Sequence, residues 1–210
     1  FSRDQEREAD KLGFASAVAH GYDPSAGADL WARLKREEDT RKYQRRGVVF
    51  ATHPATDERM SDIRAAADAL PDPPRERRRD EYRAAMRPFM DRWLAEELGR
   101  RRYASSLLVI GDLLADAPAE DHGLLAFYLG EAHRRRNATG DRAKAADLYA
   151  RAIALPGAPA ATWREHGFAL REAGKKVDAI AALKRYLDLA PQADDRAFVQ
   201  RELEKTGERP

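Results

Sequence analysis

Cysteine is absent from the 210 residues, so neither a disulfide nor a thiol nucleophile operates here. The absence does not choose a compartment. No window approaches the roughly 18 to 20 consecutive apolar residues of a membrane span, and the N-terminus has no methionine and no basic-then-apolar leader. Phe1 is therefore read as an internal cut. Charge of one sign is also missing: 38 basic against 36 acidic residues leave a net charge of +2. No overall field draws the chain to nucleic acid or to an anionic membrane. Histidine is scarce as well. The five are His20, His53, His122, His133 and His166, with no two at the four-residue spacing of an HExxH zinc helix.

What is abundant is alanine, leucine and arginine in a chain that is 35 % charged, with mean hydropathy −0.73. Amphipathic helices with solvated outer faces follow, and an all-α protein is expected. Ser2 to Gln5 reads as a capping box opening a helix from about Arg3 to His20. Gly21 stops that helix, and Asp23-Pro24 starts a second through Leu30, Trp31 and Leu34. Gly47-Val48-Val49-Phe50 breaks the periodicity, Thr52-His53-Pro54 turns the chain, and a third helix runs through Met60, Ile63 and Leu70. Pro71-Asp72-Pro73-Pro74 cannot continue it, because proline lacks the amide donor and restricts the residue before it. A domain boundary is placed there: 1–70, a Pro/Arg linker 71–79, and 80–206.

Past the linker, helical segments come in pairs near the 34-residue period of tetratricopeptide repeats. Trp163, Gly167, Gly174, Ala179, Leu183 and Pro191 fall at the positions of that pattern. A middle unit keeps Leu129, Gly130, Gly140, Ala145 and Tyr149, with a turn lengthened by three residues around Asn137-Ala138-Thr139. A first unit, Asp80 to Pro118, retains the apolar spacing of Met90, Leu94, Ile110 and Leu113. A capping helix from about Asp194 to Lys205 completes about three hairpins. The small residues let paired helices approach closely. The competing reading is an unrelated bundle of α-hairpins. The arginine runs 75–79 and 100–102 could attract acidic partners, but read as solvated helix ends.

Glu6 and Asp10 lie one helical turn apart on one face. Spacing alone makes such a pair a solvated surface beside arginines. The run from Ser2 to Gly13 nevertheless resembles the third-ligand helix of the zinc metallopeptidases typified by the heat-shock protease HtpX and the CAAX prenyl proteases, closest to the periplasmic BepA-like branch. Thr52 to Arg59 resembles the HPxxxxR element that follows in that family, and the Gly21-Tyr22-Asp23-Pro24 turn resembles the stretch between.

The resemblance implies that Glu6 is a zinc ligand, that Asp10 orients a ligand histidine, and that His53 and Arg59 face the substrate cleft. His53 read alone is equally a histidine at a turn. The family's HExxH helix supplies two further ligands and the general base, and these 210 residues contain none. The chain as it stands is expected to hold Zn2+ weakly and to be inactive, as the C-terminal part of a bacterial metalloendopeptidase. By the same resemblance the parent is a periplasmic enzyme of envelope protein quality control. Its repeat groove binds a protein or peptide partner, and apolar faces left by the shortened peptidase part, around Phe14, Trp31 and Phe50, either fold back or support a homo-oligomer. The alternative is a noncatalytic tetratricopeptide scaffold.

Overall fold

The computed structural model describes residues 3–40 and 57–208. Among them are ten α-helices and no strand: α1 Arg3–Ala19, α2 Ala26–Asp39, α3 Asp57–Asp68, α4 Arg79–Gly99, α5 Tyr103–Ala115, α6 His122–Arg136, α7 Asp141–Ala152, α8 Ala161–Glu172, α9 Lys176–Leu189 and α10 Arg196–Glu208. The all-α expectation is met. The chain divides into two compact units, residues 1–89 and 90–210, so the division falls inside α4, near its internal Pro88.

In the first unit, α3 packs on α2 and, more lightly, on α1. Their core is small: Ala28, Met60 and Ile63, with Phe14, Trp31 and Ala32 against it. Gly21 stops α1 in the left-handed conformation, φ +77°, where a Cβ would be strained. Asp23 then turns the chain rather than capping α2 directly. Its carboxylate accepts from the Ser25 amide at 2.9 Å and the Ser25 hydroxyl at 2.6 Å, and α2 opens at Ala26. The proline-rich stretch ends the third helix as expected, and it is tied back to the same unit. The Asp23 amide donates to the Glu76 carbonyl at 3.0 Å. Arg77 reaches Asp23 at 2.7 Å, Asp29 at 3.0 Å and the Ser25 hydroxyl at 3.2 Å. Arg77, read as part of a solvated run, is thus a staple. Gly47 to Phe50 and the Thr52-His53-Pro54 turn lie outside the described residues.

In the second unit, α5 to α10 pack each on the next. One core gathers Leu94, Leu98, Ile110, Leu125, Phe127 and Tyr149; another gathers Leu183, Tyr186, Leu187 and Val199 against Trp163 and Phe168. The glycines explain the close helix pairing. A Cβ on Gly130 would lie 2.6 Å from the Tyr149 ring, and one on Gly167 would lie 2.8 Å from Leu183. Asn137 closes α6 in the left-handed conformation, φ 51°, which makes the Asn137-Ala138-Thr139 segment a helix-to-helix turn. Leu113, counted among the apolar positions of the first hairpin, is 44 % exposed while Ile110 is fully buried.

Candidate functional site

Arg59 of α3 enters the first unit between α1 and α2. Its side chain is only 8 % exposed, and burying a guanidinium requires partners. Glu6 and Asp10 supply them. Nε and Nη2 of Arg59 donate in parallel to Asp10 Oδ2 and Oδ1, both at 2.7 Å, and Nη1 lies 2.9 Å from Glu6 Oε2. The guanidinium carbon sits 4.6 Å from the centre of the Trp31 ring, a cation–π contact under the ion pairs. The Asp10 hydrogen bonds foremost, followed by the charges of Asp10 and Glu6, outweigh burial and raise the Arg59 pKa, so the cation is permanent.

The carboxylates are therefore not a solvated surface. Glu6 and Asp10 side chains are 9 % and 17 % exposed. Outer ion pairs, Arg7 to Glu58 at 2.6 Å and Lys35 to Asp57 at 2.5 Å, fasten α3 to α1 and α2 around the buried group. A cavity of about 380 Å³ adjoins it, walled by Asp10, Phe14, Tyr22, Trp31 and Ile63. Phe14 and Trp31 thus pack within this unit, while Phe50 lies outside the described residues.

Three of the four candidate site residues, Glu6, Asp10 and Arg59, converge; His53 lies outside the described residues. One participant, Trp31, is not legible as a site residue in the sequence, although an aromatic on the helix facing a buried arginine is its natural support. The pairing of Arg59 with both acids has no local signal either.

Chemically, the cluster carries two acids and one base. As a complete zinc site it does not suffice, because a catalytic zinc takes three protein ligands. Among the described residues no group of three His, Asp or Glu side chains could hold a metal ion. As a contribution to such a site it fits. An ionised carboxylate has about four acceptor positions, Arg59 occupies two on Asp10, and a histidine N–H could use another.

In the second unit the polar groups form a chain through successive hairpins. Tyr149 donates to Glu131 at 2.7 Å. Arg134 grips both Glu131 oxygens at 2.7 Å and lies 3.4 Å from Glu165. Arg164 joins Glu165 at 2.8 Å to Asp195, which also accepts from Tyr186. Burial alone would raise Glu131, but Arg134, Tyr149 and Arg135 hold it below the usual carboxylate range. His133 and Arg136 both bind the fully buried Asp141, which also accepts the Ala138 amide at 2.9 Å. His122 meets the Ala117 carbonyl at 2.9 Å.

No curated protein and no solved structure matches the chain. Residues 1–67 match the sequence model of Peptidase family M48. That stretch contains α1, α2 and α3 and with them Glu6, Asp10 and Arg59. The first 67 residues are thus related to the M48 metallopeptidases, and the buried cluster lies inside the related segment.

Proposed function

We propose that these 210 residues serve as part of a zinc-dependent metalloendopeptidase. The first unit contributes Glu6 as a zinc ligand and Asp10 as the acid that orients a ligand histidine. The second is a tetratricopeptide-type array that binds protein. The supporting observation is the convergence of Glu6, Asp10 and Arg59 in one buried cluster within the segment that matches Peptidase family M48. Zinc, when bound, would supply an activated water for attack on the peptide carbonyl.

The chain's own residues do the positioning. Arg59 fixes both carboxylates, and Trp31 fixes Arg59. Arg59 also offsets part of the negative charge of the acid pair. His53 borders the substrate, and Arg59, buried against both acids and Trp31, acts through the carboxylates it holds. With no HExxH in its sequence, the 210-residue chain alone holds zinc weakly and does not cleave. The place of action is the periplasm, in envelope protein quality control, and self-association through the apolar side of α1, where Leu12 is 66 % exposed, is a further property of the isolated chain.

The test is casein hydrolysis by a protein extended upstream to include an HExxH segment, beside the 210-residue chain. Cleavage by the longer protein alone, abolished by Glu6→Gln, is expected. A longer protein without HExxH that never cleaves contradicts the enzyme reading. A second reading, a noncatalytic scaffold, draws on the close-packed hairpins of α6 to α9, whose Gly130 and Gly167 contacts suit a stacked binding array.

A further inference from the structure

The second unit holds a cavity of about 400 Å³ lined from α6, α7, α8 and α10. Its apolar part is made by Ala145, Ala146 and Ala169, whose short side chains leave the space open, and by Phe168 and Phe198. The two phenylalanines meet edge to face at 6.1 Å, and Phe198 is 48 % exposed although it lies at the end of a packed array. A space of this size beside an aromatic edge takes one large side chain, and aromatic pairs of this geometry add attraction beyond burial.

The charges around the cavity are not equivalent. Arg134 is committed to Glu131 through two bonds of 2.7 Å, and Arg171 to Glu202 at 2.6 Å. Glu165 is buried and shared by Arg134 and Arg164. Arg142 differs. Its side chain is 74 % exposed, and its contacts are long: 3.4 Å to Asn137 Oδ1 and 3.9 Å to Glu172. A guanidinium has five N–H donors, so Arg142 retains the capacity to grip a carboxylate bidentately, in competition with the distant Glu172.

Resting on the reading of this unit as a protein-binding array, we infer that the cavity is a recognition site for an extended peptide segment. The segment lays an aromatic side chain against the Phe168–Phe198 pair, over the three alanines, and an adjacent carboxylate on Arg142. Charge complementarity selects an acidic neighbour over a basic one, and the small-residue floor selects a ring over a short side chain.

The test uses the full 210-residue protein and fluorescein-labelled Gly/Ser decapeptides with Phe-Asp, Ala-Asp, Phe-Asn or Phe-Lys at the centre, read by fluorescence polarisation. Phe-Asp should bind about tenfold tighter than Ala-Asp and several-fold tighter than Phe-Asn, the scale of one lost ring contact or one charged hydrogen bond. Arg142→Glu should abolish the preference for Phe-Asp and favour Phe-Lys, and Ala146→Phe, which fills the floor, should weaken every Phe peptide. Circular dichroism confirms that these variants fold. Equal binding of all four peptides, or indifference to Arg142→Glu and Phe198→Ala, overturns the site. A random decapeptide library separates the two levels: library binders insensitive to those variants sink this site and leave the array reading intact, whereas a library without binders sinks both.

Discussion

Arg59 and Asp10, 49 residues apart in sequence, are joined by two parallel hydrogen bonds of 2.7 Å in a site nearly closed to water. The pair turns an exposed-looking acid motif into an internal one. It also ties α1 to α3, and the same guanidinium extends the tie to Glu6 at 2.9 Å.

Removing one partner of a buried ion pair leaves an uncompensated charge. Arg59→Ala should therefore destabilise the first unit by about 3–5 kcal/mol, and Arg59→Lys should rescue it only partly, since an ammonium cannot form the fork. Hydrogen exchange of the α1 and α3 amides measures this. Wild-type protection in Arg59→Ala contradicts the coupling.

Gly123 and Gly111 make an opposed pair. A Cβ on Gly123 would lie 2.4 Å from the Pro156 carbonyl oxygen and 2.5 Å from the Ala158 amide, backbone atoms that cannot rotate away. Gly123→Ala should cost about 1–3 kcal/mol or more. Gly111, inside α5, has nothing among the described residues within 4 Å of such a carbon, and Gly111→Ala should stabilise by about 0.5–1 kcal/mol through helix propensity. Urea denaturation of the two variants decides both signs.

How much of this was legible depended on whether the signal was local. Gly21, Pro71 to Pro74 and the turn at Asn137 are read from single residues, because left-handed backbone and missing donors are intrinsic to them. The pairing of α6 with α7 and of α8 with α9 followed from Gly130 and Gly167, whose missing side chains admit a neighbour. The bond from Arg59 to Asp10 did not follow. In a chain that is 35 % charged, almost any acid could pair with any base, and only burial selects the partners. Arg77 failed for the same reason: within a run of arginines it looked solvated, yet it holds Asp23 and Asp29. Leu113 keeps the apolar spacing yet is 44 % exposed, because periodicity marks a helix face without fixing how far the neighbour covers it.

Asp141 makes acid stability predictable. Arg136 foremost, together with His133 and the Ala138 amide, outweighs burial and holds its carboxyl well below the usual range. A depressed folded-state pKa contributes stability that is full above the unfolded value, about 4, and lost as pH falls through the folded one. Thermal melts should show this loss below pH 4, and Asp141→Asn should be less stable at pH 7 with a shallower decline. An unchanged acid profile in Asp141→Asn contradicts the assignment.

His166 works at milder pH. Burial lowers its pKa, and its Nδ1 has no hydrogen-bond partner among the described residues, so the folded protein favours the neutral ring. Protonation is then more favourable unfolded than folded, and stability should fall as pH drops below about 6.5. His166→Phe should remove that part of the slope between about pH 6.5 and 5; a slope identical to wild type argues against it.

The central claim, that Glu6 is a zinc ligand, is tested most directly by metal stoichiometry. In a protein extended to include an HExxH segment, dialysed against a weak chelator and analysed by atomic absorption, about one zinc per chain should remain. Glu6→Gln should lose most of it while retaining wild-type helicity. One retained zinc in folded Glu6→Gln, bound as tightly as in wild type, would contradict the assignment of Glu6 as ligand.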